Sequence, residues 1–178
     1  MNPPAAVLVA DDDRTIRRNL VLFLRSEGYR TLEADDGDAA LACIAADSPD
    51  AVLLDLKMPG RDGLDVLAEL GPALADLPVI VVTAFGGSTA AIEAMRRGAY
   101  DYLTKPFDLD EVLLTLQRAL RQRALAYEVK ALRARTGQAS HEESEGDEEV
   151  EPELIGRSAA MREVFKAIGR PPRLTPRS

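Results

Sequence analysis

The chain has 178 residues, 46% of them hydrophobic but only 4% aromatic and none Trp, so its core must be built from Val, Leu, Ile and Ala. Its net charge is −8, yet the eight acids between His141 and Glu153 fall in a stretch without Lys or Arg; removing them from the 30 acids leaves 22, matching the 22 basic residues, so the acidity belongs to one segment and no basic nucleic-acid-binding surface is indicated. No run of about 18 apolar residues occurs, which argues against a membrane-spanning helix, and MNPPAAVLVADDD at the N-terminus has neither a basic leader nor a cleavage site, so a cytoplasmic protein is expected.

Apolar runs alternate with amphipathic stretches five times. Val7–Ala10 reads as a strand ending in acids, and Ile16, Leu20, Phe23 and Leu24 are spaced as on a helix that Gly28 stops. Tyr29–Ala34 reads as a second strand and Gly37–Ala46 as a second helix, in which Cys43 is expected as a small core residue. Ala51–Leu54 is a fully apolar third strand, followed by a Pro59-Gly60 and Asp62-Gly63 loop and a short helix over Leu64–Leu70. Val79–Val82 is the fourth strand, Thr89–Arg96 the fourth helix and Tyr100–Leu103 the fifth strand. A fifth helix opens at Asp108, with Glu111 in capping-box position, and meets no stop before Gly137. Leu125, Val129 and Leu132 carry its apolar stripe onward.

Strands alternating with helices of this length predict a five-stranded parallel, doubly wound α/β sheet of order 2-1-3-4-5, flavodoxin-like, with an extended C-terminal helix. Such sheets bind ligands at the carboxyl ends of their strands. At those ends stand Asp11, Asp12 and Asp13, then Asp55, then Thr83, then Lys105 followed by Pro106. Taken singly, each has an ordinary reading as a loop acid, a strand-forming Thr or a Lys-Pro turn. Together they supply clustered carboxylates that need a cation, an all-oxygen set suited to Mg²⁺, and a hydroxyl and a mobile ammonium for phosphate oxygens. Those are the parts that phosphoryl transfer to an aspartate requires. Lys105-Pro106 is also a candidate cis peptide.

VLVADDDRTIR at 7–17, VLLDLKMPGRDGLDVL at 52–67, VIVVTA at 79–84 and GAYDYLTKPFDLDEV at 98–112 resemble the receiver domain of bacterial two-component response regulators. The resemblance implies a phosphoprotein served by a sensor histidine kinase, with Asp55 as phosphoacceptor. It implies a Mg²⁺ site made by the acidic pair Asp11 and Asp12, Asp55 and the backbone carbonyl of Lys57. Thr83 and Lys105 would contact the phosphoryl group, and Tyr102 matches the aromatic switch position. Asp13, outside the pair, is expected to cap the first helix.

A rival reading comes from Asp11-Asp12-Asp13-Arg14-Thr15, which fits the D-x-D-x-T nucleophile motif of haloacid-dehalogenase-like phosphatases. There Asp11 would be the nucleophile and Asp13 the general acid. Those enzymes need a further strand ending in paired acids after the lysine, where this sequence has a long helix, and the reading leaves Asp55 without a role.

The expected organisation is a receiver domain over 1–122, a helical extension over 123–136, an acidic solvated linker over 137–152 and a final segment over 153–178. ELIGRSAAMREVFKAIG at 153–169 resembles the opening of the AAA+ domain in nitrogen-regulator-type, sigma-factor-activating regulators. The G-x-x-x-x-G-K phosphate loop of that domain is missing, so neither ATP hydrolysis by that route nor direct DNA binding is expected of this chain. The sequence leaves open a piece of a longer regulator, a prematurely ended reading frame and a short regulator in its own right. The stripe on the fifth helix predicts a weak homodimer through residues 113–135.

Overall fold

The computed structural model describes residues 4–84 and 88–139. The expected acidic linker, apart from its first residues, and the segment over 153–178 lie outside them. Five strands, β1 (Ala6–Ala10), β2 (Arg30–Ala34), β3 (Ala51–Asp55), β4 (Val79–Ala84) and β5 (Asp101–Lys105), form one parallel sheet in the order β2-β1-β3-β4-β5. Between and after them run α1 (Arg14–Ser26), α2 (Gly37–Asp47), α3 (Gly63–Leu70), α4 (Ser88–Arg96) and α5 (Leu109–Ala139). The expected five-stranded doubly wound fold is therefore present.

Alternating side chains on the central strands divide the core into two layers. Leu8, Val52, Leu54, Val79 and Val81 pack on one face with Val66 and Leu67 of α3 and Ala94 of α4. Val7, Val9, Leu53, Ile80 and Leu103 pack on the other with Leu20 and Leu24 of α1 and Val112 and Leu116 of α5. Burial on both faces explains why β3 and β4 read as continuous apolar runs. Cys43 is only half-buried at the rim of the first layer, less enclosed than expected, with its Sγ 3.8 Å from the Glu33 carbonyl oxygen.

Aspartates start the helices that lead out of the sheet's carboxyl edge. Asp13 Oδ1 accepts from the N–H groups of Thr15 and Ile16 at 2.7 and 3.1 Å, as expected of a cap. Asp36 and Asp62 cap α2 and α3 in the same way. Asp108 Oδ1 accepts from the Asp110 N–H at 2.9 Å, whereas Glu111 does not return the reciprocal bond of a capping box.

The structure differs from the sequence reading at several ends. β4 and β5 each run two residues further, so Thr83 and Lys105 lie within the strands rather than just past Val82 and Leu103. Thr83 pairs with Thr104 and Ala84 with Lys105, and this ladder carries polar positions that pattern alone ends early. A 3₁₀ turn over Gly71–Ala75 precedes β4. α5 continues past Gly137 to Ala139. Its extension is tied back to the opposite, amino edge of the sheet: Arg123 pairs with Asp50 and donates to the Asp76 carbonyl oxygen at 2.9 Å, and Lys130 pairs with the Asp76 carboxylate.

Candidate functional site

Strand register brings the sequence-distant residues to one edge. Ala10 pairs with Leu54, so Asp11 emerges from β1 beside Asp55 at the end of β3. Asp55 in turn pairs with Val82, which places Thr83 one step beyond it on β4. Lys105 closes the row on β5. Asp11, Asp55 and Thr83 are buried polar residues, and Asp12 and Asp13 are exposed.

Lys105 links the two buried acids. Its Nζ donates to Asp55 Oδ2 at 2.6 Å and to Asp11 Oδ2 at 2.8 Å. The second oxygen of each acid is held by the backbone of its own turn. Asp55 Oδ1 accepts from the Lys57 N–H at 3.0 Å and Asp11 Oδ1 from the Asp13 N–H at 2.9 Å. Burial pushes the Asp11 carboxyl above the usual carboxylate range, and the Asp55 charge adds to this, against the hydrogen bonds from Lys105 and Asp13. Burial alone would lower the Lys105 ammonium. The hydrogen bonds and charges of Asp11 and Asp55 outweigh it and hold the group above its ordinary value. The Lys105-Pro106 peptide is cis, as the sequence suggested.

One carboxylate oxygen from each of Asp11, Asp12 and Asp55 lies within 4.8 Å of the others. This close all-oxygen set, with excess negative charge over the single Lys105, suits a small hard divalent cation. Asp13 stands apart. The N–H groups of Ile16 and Thr15 hold its exposed carboxyl below the usual range, which makes it a poor proton donor. That opposes the phosphatase reading, and no strand follows Lys105 among the described residues.

Tyr102 is 48% exposed. Its register partner is Val81, two residues before Thr83, so Tyr102 and Thr83 fall on the same face of the sheet.

Two residues in the support of this edge were not singled out in the sequence. Arg17 Nη1 donates to the Asp11 carbonyl oxygen at 2.6 Å. Gly63, the first residue of α3, packs against the backbone of Asp55, where a Cβ would lie 2.4 Å from the Asp55 carbonyl oxygen. The Asp62-Gly63 pair signalled a turn but not this close approach. The position of Arg17 early in α1 was the available signal for its contact, because helical side chains lean toward the N-terminus.

Residues 7–117 match the response regulator receiver domain family. Among curated proteins, the chain is 34% identical over 169 residues to the DNA-binding transcriptional regulator NtrC of Salmonella typhimurium, covering 92% of this chain and 32% of that protein. It is 44% identical over 119 residues to the response regulator MprA of Mycolicibacterium vanbaalenii, covering 67% of this chain and 52% of that one. The chain thus spans about a third to a half of these relatives' lengths. Among solved structures, NtrX from Brucella abortus superposes with a TM-score of 0.70 at 36% identity, covering 93% of this chain and 34% of that one.

Proposed function

The chain belongs to the response regulator receiver domain family of two-component systems, and on that premise we propose that Asp55 is its phosphoacceptor. The observation that carries the assignment is the place of Asp55 under the Lys105 bridge. Lys105 bridges Asp11 and Asp55 alike, and the choice between them is supported by place: Asp55 alone ends the central strand β3, with the Asp11-Asp12 pair beside it. A carboxylate oxygen of Asp55 attacks phosphorus in a histidine kinase's phosphohistidine. The P–N bond breaks and an aspartyl phosphate forms.

Asp11, Asp12 and Asp55, with the Lys57 carbonyl, would hold Mg²⁺, which supplies charge neutralisation and orientation for the incoming phosphoryl group. Lys105 moves from carboxylate to phosphoryl oxygen, and Thr83 donates its hydroxyl to another. Drawing Thr83 toward the phosphoryl group opens room on its face of the sheet, into which Tyr102 turns from its exposed position. The change is a population shift between two conformations. The phosphoacceptor role is self-modification and slow release, distinct from turnover of a substrate.

Residues 1–122 act as the receiver and 123–136 as a helical extension. Leu125 and Val129, 56% and 46% exposed, offer a seam for weak self-association, within the expected dimer span of residues 113–135. The output is control of transcription through a further domain or partner, as the names of the relatives suggest, in the cytoplasm. Among the described residues no helix is long and apolar enough to cross a membrane.

The test is incubation with acetyl phosphate and Mg²⁺, followed by intact mass. One phosphoryl adduct per chain, lost on adding EDTA beforehand, is expected. Continuous release of phosphate from phosphomonoesters would instead support the phosphatase reading.

A further inference from the structure

The Asp11-Asp12 pair has an asymmetry that the strand ends do not explain. Asp11 is held at its N–H by the Ala34 carbonyl oxygen at 3.2 Å, at Oδ1 by Asp13 and at Oδ2 by Lys105. Asp12 is exposed, and its side chain makes no hydrogen bond or ion pair among the described residues. The direction in which Asp12 leaves the strand is therefore set by its backbone. The carbonyl of Asp11 and the N–H of Asp12 belong to one rigid peptide plane. Whatever fixes that carbonyl fixes the start of Asp12.

Arg17 is the group that does so. Its side chain is largely enclosed, 14% exposed. Nη1 donates to the Asp11 carbonyl oxygen at 2.6 Å, a short charge-assisted bond. Nε faces Glu33 on β2 at 3.8 Å, and Glu33 also meets Arg25 at 3.7 Å. Arg25 Nε donates to Thr31 Oγ1 at 2.7 Å, so the outer end of this chain of contacts rests on the edge strand.

Resting on the reading of the acidic cluster as a cation site, we propose that Arg17 is a positioning residue for it. By locking the Asp11-Asp12 peptide plane, Arg17 presents the Asp12 carboxylate to the metal. The proposal has a sign that electrostatics alone does not share. As a bare positive charge, Arg17 repels a divalent cation, and removing it should tighten metal binding. As the clamp on the peptide, its removal should weaken metal binding.

The experiment measures Mg²⁺ affinity of the full chain by isothermal titration calorimetry, without phosphodonor, for wild type, Arg17→Met and Arg17→Lys. Methionine keeps an apolar stem along α1, and lysine keeps the charge and one donor. The expected result is about 10-fold weaker binding for Arg17→Met, the usual scale for losing a group that orients a metal ligand. Arg17→Lys should fall between it and wild type. Circular dichroism melts report whether each variant folds. If Arg17→Met does not fold, Arg17→Lys decides alone: several-fold weaker binding at unchanged charge supports the clamp. Equal or tighter binding by the folded variants overturns it. A wild-type chain that takes up no Mg²⁺ overturns instead the reading of the acidic cluster on which the proposal rests.

Discussion

Replacing Gly63 with alanine tests how closely the support behind Asp55 is built. A Cβ there would sit 2.4 Å from the Asp55 carbonyl oxygen, 2.8 Å from Leu56 Cα and 3.1 Å from the Asp55 carbonyl carbon. Real contacts of this kind stay above 3.0 Å, so the first gap must widen by at least the difference between 2.4 and 3.0 Å. The obstacles are backbone, not flexible side chains. The Leu56 N–H is bonded to the Val82 carbonyl oxygen at 3.0 Å, and the Gly63 N–H to the Leu56 carbonyl oxygen at 3.0 Å. Neither side yields without disturbing the sheet or the start of α3. Overpacking of this kind costs about 1–3 kcal/mol. Gly63 is the first residue of α3, so little of the roughly 0.5–1 kcal/mol that alanine gains over glycine in a helix interior is returned there. A net loss of about 1–3 kcal/mol is expected, a fall of several degrees in melting temperature. Displacement of the Asp55 carbonyl also moves the carboxylate proposed as the nucleophile, and misplacement by about 1 Å can cost on the order of 100-fold in rate. We expect the acetyl phosphate reaction to slow by about ten-fold or more, read by intact mass against time beside thermal melts. A Gly63→Ala chain as stable as wild type and phosphorylated at the same rate would refute the reasoning.

Four further outcomes follow from the same geometry. Asp11, whose native carboxyl lies above its ordinary value of 3.8, binds its proton more tightly when folded. That contribution is complete below 3.8 and is lost as pH rises through the native value. Without divalent cations, Asp11→Asn should therefore raise the urea midpoint at pH 7, with the gain shrinking toward pH 4; a gain that stays constant with pH would contradict the burial argument. Phosphorylation should shift the NMR resonances of Tyr102 and of the α4 and β5 face, whereas shifts confined to the strand ends with Tyr102 unmoved would count against the switch. Sedimentation equilibrium at about 100 μM should show weak dimerisation, about −5 to −6 kcal/mol, that a chain ending at Arg121 lacks; monomers in both, with and without phosphorylation, would sink it. Arg123→Ala should raise hydrogen exchange in α5 beyond residue 120, because it removes the contacts to Asp50 and the Asp76 carbonyl, and unchanged exchange would show the extension to be held otherwise.

The sheet was legible because its inner strands are buried on both faces and so carry no polar interruptions, as the AVLL that precedes Asp55 in β3 shows. The meeting of Asp11, Asp55, Thr83 and Lys105 was legible because parallel topology sends every strand's carboxyl end to one edge. What pattern could not give lies in pairings between elements. Thr104 and Lys105 fall just past the apolar run that ends at Leu103 until the β4 ladder extends to meet them. Arg17 looks like a solvated helix arginine until β2 places Glu33 against it. The crowding at Gly63 depends on how α3 docks behind β3, which no local signal encodes.

The central claim is that one carboxylate, Asp55, receives the phosphoryl group. After incubation with acetyl phosphate and Mg²⁺, reduction with borohydride converts an aspartyl phosphate to homoserine, which peptide mass mapping locates. The label is expected at Asp55 alone and should vanish in Asp55→Asn. A label at Asp11 or Asp12, or an Asp55→Asn chain modified to the same extent as wild type, would contradict the assignment.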